Sequence, residues 1–294
     1  MKPPHRRIAP GSVNATLFVG LAAVVISGAS GCIQPTQRTV YAVPAARLEG
    51  DGRQLRLLPP FELATPEDAI VRITGDVTCT GTLIADDRVL TAHHCVVARD
   101  AAGHALDHDK RPQELTIELG GDYLPWGEAP VRAIIAPDCG YASGDGDIAI
   151  LVLSRHLIGV PIVPIRLETP PHKDEELRVF GFGRCALSRD GIHRVARTSS
   201  PVQGLEPGHL VATAAICPGD SGGPVYGEKG EIIGVVSASV MDGDETTSGL
   251  SYFTRVDVWP QIFSAAHEIA NGASPGELPP YGDCRAPHAR ASKR

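Results

Sequence analysis

The chain has no surplus of positive charge: 27 Lys and Arg stand against 34 Asp and Glu, a formal net charge of −7. Binding to nucleic acid through bulk charge is therefore not expected, because that mode relies on cations neutralising phosphates. Long hydrophobic runs are also missing. The apolar run Leu17 to Ile26 is too short for a comfortable membrane span, which takes about 20 residues. Aromatic residues are scarce at 5%, yet a hydrophobic content of 43% is ample for a core. No internal repeat or coiled-coil period is visible, which argues against a solenoid.

Glycine and proline are plentiful, 32 and 25 of 294 residues, which suits many short strands joined by tight turns. A chain of this length could hold two average domains, although β-rich barrel proteins of similar size often form one unit. Residues 1–31 carry Lys2, Arg6 and Arg7 ahead of the apolar run and no acid, the pattern of a secretory signal peptide. The run ends in Ala29-Ser30-Gly31-Cys32, which resembles a bacterial lipobox with Ala29 in the usual leucine position. Lipidation at Cys32 would anchor the exported protein to a membrane surface, on the periplasmic or extracellular side. Ordinary cleavage near Ala29 or Gly31, giving a secreted product, is the alternative. Setting Cys32 aside leaves six cysteines of seven, an even number that fits an oxidising compartment.

Residues 32–62 read as a linker or pro-region, 63–272 as the folded domain and 273–294 as a surface tail. Within the domain, β-like segments recur between Ile70 and Leu153 and again between Leu177 and Val256. A Pro-rich joint (Pro161, Pro164, Pro170, Pro171) separates the two groups. About twelve short strands split in this way fit an all-β fold of two antiparallel barrels. Val258 to Asn271 reads as one C-terminal helix, with Ile262, Phe263, Ala266 and Ile269 on one face and Gly272 as its stop.

The segment Cys217-Pro218-Gly219-Asp220-Ser221-Gly222-Gly223-Pro224 can build a nucleophile and an oxyanion site together. A serine hydroxyl needs a base to take its proton, and glycines let backbone N–H groups converge on a developing oxyanion. His94, in Thr91-Ala92-His93-His94-Cys95, is the candidate base. Asp147, which directly abuts Ile-Ala-Ile-Leu, is the candidate orienting acid. Gly219 to Gly223 also matches the Gly-x-Ser-x-Gly elbow of α/β-hydrolases, in which acid and histidine follow the serine. Only 73 residues remain after Ser221, and the segment before it lacks an alternating helix–strand pattern. The adjacent histidines do not suit one metal ion, since neighbouring residues on a strand point to opposite faces. His104, His108 and Asp107 read as a solvated loop.

Taken together, in the order His, Asp, Ser, these blocks resemble the chymotrypsin/trypsin-like (S1) serine endopeptidases from about Pro66 to Gly272. The resemblance implies two six-stranded barrels with the triad in the cleft, oxyanion donors at Gly219 and Ser221, a protein or peptide substrate and no cofactor or metal. It implies a Cys79–Cys95 bridge. Cys185–Cys217 is preferred among three possible pairings of the other four cysteines and leaves Cys139–Cys284. Positions matching the substrate pocket are Ala215, Ile216, Ser237, Ser239 and Ser251; without an acid at Ala215, small to medium neutral side chains are expected there. Asp242, Asp244 or Glu245 could instead reach in and restore a basic preference. His93 stands where the family has alanine, and its removal is expected to leave most activity. In the family, an ammonium freed by cleavage pairs with the acid before the serine, here Asp220. Either cleavage near Arg53 or Arg56 supplies that cation, the favoured reading, or an internal cation does. The rival function is a surface-anchored, protease-like binding protein with little or no turnover.

Overall fold

The computed structural model describes residues 65–121, 124–185, 192–240 and 248–275, together with Leu278 and Cys284. The expected signal peptide, Cys32, the pro-region with Arg53 and Arg56, and the acidic positions 242, 244 and 245 lie outside the described residues.

In chain order the strands of the first half are β1 (Ile70–Thr74), β2 (Thr78–Ala85), β3 (Arg88–Thr91), β4 (Val97–Arg99), β5 (Ala105–Asp109), β6 (Thr116–Leu119), β7 (Gly127–Ile135) and β8 (Ala149–Leu153). Six of them close into an antiparallel barrel, β1-β2-β3-β8-β7-β6, while β4 and β5 form a separate two-stranded ribbon. That ribbon is invisible in the hydrophobic pattern because β5, Ala-Leu-Asp-His-Asp, is mostly exposed. His104, His108 and Asp107 are solvent-exposed there.

The second half contains β9 (Arg178–Gly181), β10 (Val195–Arg197), β11 (Gly204–Leu205), β12 (His209–Ala214), β13 (Pro224–Tyr226), β14 (Ile232–Ser239) and β15 (Gly249–Arg255). These pair as a seven-stranded antiparallel sheet, β10-β9-β13-β14-β15-β12-β11. The seventh strand, relative to the six expected, is β11, a two-residue edge strand too short to carry an alternating pattern.

All five residues of β8, Ala-Ile-Leu-Val-Leu, are buried. A continuous apolar run is what a strand needs when both of its faces are covered. The outer cover is α1 (Pro260–Ala270), which packs on β7 and β8 and buries Ile262, Ala265, Ala266 and Ile269. Pro260 opens the helix where its missing N–H costs nothing. At the other end Arg132 donates to the carbonyls of Ile269 and Ala270 at 3.2 and 3.3 Å, and Gly272 ends the helix at φ +103°, a conformation that favours glycine.

Two registers position the site. Thr91 at the end of β3 pairs with Ala149 at the start of β8, so the chain leaving towards His94 and the chain arriving from Asp147 meet at one end of the barrel. Ser221 lies between β12 and β13, in the other half. Because α1 is the outer cover of β8, truncating Ile262, which is fully buried, should loosen this end. Ile262→Ala is expected to lower unfolding stability by about 2–5 kcal/mol, measured by denaturant titration.

Candidate active site

His94 sits in a short 3-10 turn, His93–Cys95, directly after β3. Its Nδ1 lies 2.8 Å from Asp147 Oδ2, and its backbone N–H donates to Asp147 Oδ1 at 2.9 Å. Two contacts from one carboxylate to one residue fix both the ring and the backbone that carries it. Asp147 is completely buried, and it accepts a third hydrogen bond, from the Ser237 hydroxyl at 2.5 Å. Ser237, expected to wall the substrate pocket, thus also serves the acid. It reaches across from β14, 90 residues away in sequence, a separation that no local pattern reveals.

The second histidine has a structural role. His93 is buried, with Nδ1 2.5 Å from the Cys139 carbonyl and Nε2 2.7 Å from Asp109 Oδ1. Its ring packs against Tyr141 at 4.7 Å. His93 therefore ties β5 to the loop from Cys139 to Asp147, which carries the acid. This placement gives His93 partners of its own, apart from the ring of His94.

Ser221 is half-buried, and its backbone is held against the first barrel. Thr80 N–H donates to the Ser221 carbonyl at 2.8 Å. A Cβ on Gly222 would lie 2.1 Å from Thr91 Oγ1 and 2.9 Å from Ala92 N, so only glycine allows this close approach beside His94. Among the hydrogen bonds of the described residues, none joins the Ser221 hydroxyl to His94; such bonds often tighten only with substrate bound. The N–H groups of Gly219 and Ser221 likewise have no acceptor among the described residues.

Asp220, between those two donors, is also completely buried. Burial pushes its carboxyl up, while Arg197 and the N–H groups of Cys217 and Gly183 pull it back down. Arg197 Nε lies 2.7 Å from Asp220 Oδ2 as an ion pair; its N–H is not aimed for a hydrogen bond. The directional bond comes from Nη2 to Oδ1 at 3.1 Å. Asp220 thus has a cationic partner in the uncut chain, Arg197 of β10; this is the internal cation given above as the alternative to cleavage near Arg53 or Arg56. The glycines of Gly181-Phe182-Gly183 make room for this pair: a Cβ on either would meet the Asp220 carboxylate, at 2.1 or 2.5 Å.

Ala215, Ile216 and Ser251 are buried. Ser239 pairs in register with Ser251, and their hydroxyls lie 2.7 Å apart. The three disulfides are Cys79–Cys95, Cys139–Cys284 and Cys185–Cys217. The first staples β2 to the residue after His94, and the third joins the segment after Gly183 to the segment before Gly219.

A model of the family described as Trypsin matches residues 64–262. The chain belongs to the trypsin family. An uncharacterized peptidase of Corynebacterium glutamicum (strain R) is 25% identical, over 73% of this chain and 74% of the relative. The vitellin-degrading protease of Bombyx mori is 27% identical over 58% and 70% of the two chains. Among solved structures, human heparin binding protein matches with a TM-score of 0.55 and 23% identity, over 72% and 96% of the chains, a likeness of fold alone. Family membership makes the general function that of a protease, a hydrolase of protein or peptide substrates. Its three disulfides fit an exported trypsin-family protein.

Two variants separate the roles of the neighbouring histidines and the acid's partner. Ser237→Ala should lower kcat about 10-fold with KM little changed, because one hydrogen bond to Asp147 is lost. His93→Ala should lower the melting temperature by several degrees, from lost hydrogen bonds and a cavity. A His93→Ala protein with wild-type melting would contradict the structural role.

Proposed function

We propose that the protein is a serine endopeptidase working through His94, Asp147 and Ser221 and an acyl-enzyme intermediate. Ser221 attacks the scissile carbonyl, and His94 Nε2 takes its proton and passes it to the leaving amine. Asp147 keeps the ring in the tautomer with Nδ1–H towards the acid and stabilises the imidazolium. The N–H groups of Gly219 and Ser221 receive the tetrahedral oxyanion, a contribution for which one donor typically accounts for about 10²–10³ in turnover. Water then attacks the acyl-enzyme, with His94 as base. The observation that carries this reading is the buried, triply hydrogen-bonded Asp147 on the ring of His94. A buried acid that fixes the orientation of an imidazole is what a general base requires.

Ser221→Ala and His94→Ala should each abolish peptide hydrolysis, and a fluorophosphonate should modify wild-type protein once, at Ser221. Hydrolysis by Ser221→Ala, or the absence of any Ser221 adduct, would favour the rival reading of a protease-like binding protein.

For the residue before the cut we propose small to medium neutral side chains such as Ala, Val or Leu. Ala215 offers no charge to a Lys or Arg side chain, which would be desolvated without a partner. Ser239 and Ser251, whose hydroxyls lie 2.7 Å apart, stand on this reading where smaller residues would leave the pocket wider. Cleavage profiling on peptides varied at that position should show this preference; a dominant Arg or Lys would refute it.

We further propose that Cys32 carries a lipid anchor. Cys32→Ser should then release the protein from membranes or stall its processing, and an unmodified mature N-terminus after Ala29 or Gly31 by mass spectrometry would refute the anchor.

A further inference from the structure

We infer that Arg197 and Thr80 are positioning residues that hold the oxyanion-binding segment in its working shape, so that the protein is competent without a new N-terminus. This rests on the endopeptidase reading above and concerns how its site is kept assembled.

The two proposed oxyanion donors flank Asp220, so anchoring that residue restrains the backbone turn from which both N–H groups project. Asp220 is held by four contacts that saturate its carboxylate. Oδ1 accepts from Gly183 N–H at 2.8 Å and from Arg197 Nη2, while Oδ2 accepts from Cys217 N–H at 2.8 Å and faces Arg197 Nε. The side chains of Arg197 and Asp220 are 2% and 0% exposed. A buried carboxylate stripped of its cation is strongly unfavourable, and the segment would rearrange to reach water. Arg197 also donates to the Gly183 carbonyl. It therefore ties both walls of the Asp220 cavity together. The arginine is itself presented from a paired strand, with Arg197 opposite Val179. An ammonium arriving from elsewhere would find both carboxylate oxygens already engaged.

Thr80 supplies the second hold, from the other barrel. Its hydroxyl donates to the Gly219 carbonyl at 2.7 Å and accepts the Phe182 N–H at 2.9 Å. Gly219 has φ +102°, and a glycine in that region rotates its peptide planes readily. Fixing its carbonyl on Thr80 restrains the Gly219–Asp220 peptide plane, and with it the turn that carries both proposed donors. Thr80 is completely buried, so no water competes for either bond.

The test uses the full chain and four variants, Arg197→Met, Arg197→Lys, Thr80→Val and Thr80→Ser, assayed on the best peptide from cleavage profiling. Arg197→Met should lose kcat about 100-fold, the scale of a lost oxyanion donor, with KM within about threefold. Arg197→Lys should recover part of the loss. Thr80→Val, nearly isosteric, should lose kcat about 10-fold, and Thr80→Ser should restore most of it. Fluorophosphonate labelling rates should fall in parallel. The acid limb of the kcat/KM pH profile should stay in place, because the His94–Asp147 contact is untouched. A double Arg53→Gln, Arg56→Gln chain, intact through residues 53–57 by mass, should keep wild-type activity.

Wild-type kcat in both Arg197→Met and Thr80→Val, or activity that appears only after cleavage between 53 and 57, would overturn the inference. If Arg197→Met fails to fold, Arg197→Lys and Thr80→Val decide it. A wild-type chain that neither cleaves peptides nor takes the label would instead sink the endopeptidase reading itself.

Discussion

A carboxylate buried one residue before Ser221, the proposed nucleophile, sets terms that much of the second half meets. Asp220 needs a cation, donors for both oxygens and space. Arg197 supplies the cation from β10, Cys217 and Gly183 supply N–H groups, and Gly181 and Gly183 supply the space by having no side chain. Removing any one leaves a charge with no solvent and too few partners, a situation that costs several kcal/mol in proteins. The same contacts orient the N–H groups on either side, so an interaction that looks structural also prepares the chemistry.

The first barrel answers a parallel problem around Asp147. That acid too is fully buried, yet its partners are a ring, a backbone N–H and a hydroxyl rather than an arginine. No arginine or lysine sits on it, so in the proposed mechanism its field serves the imidazolium formed when His94 takes a proton. The contrast between two buried aspartates, one neutralised by arginine and one left facing histidine, separates a residue that shapes the site from one proposed to serve the reaction. Thr80 and Ser237 carry contacts between the halves, so the site depends on both docking correctly.

Much of this was legible in sequence. Short strands on either side of a Pro-rich joint, the apolar run of β8 and the helix over Pro260–Ala270 follow from local pattern alone, and the order of His94, Asp147 and Ser221 pointed to the family. What could not be read were partnerships between distant residues. Arg197 looked like the last residue of a strand, because its partner lies 23 positions on. Thr80 carries no local sign of its role, because its contact with Gly219 spans 139 positions. The mostly exposed β4–β5 ribbon and the two-residue β11 carry too little apolar patterning to announce themselves. The partners of His93 were equally out of reach: its neighbour in sequence is the proposed base, but its acceptors come from β5 and from Cys139.

The most direct measurement of the central claim is a burst titration of the full, uncut chain with a chromogenic active-site ester. If Ser221 is activated by His94 and its oxyanion donors are already assembled around the Arg197–Asp220 pair, one equivalent of leaving group should appear per chain before the steady state. A chain that shows no burst until it has been cleaved near residues 53–57 would contradict the built-in assembly, and one that never shows a burst would contradict the acyl-enzyme itself.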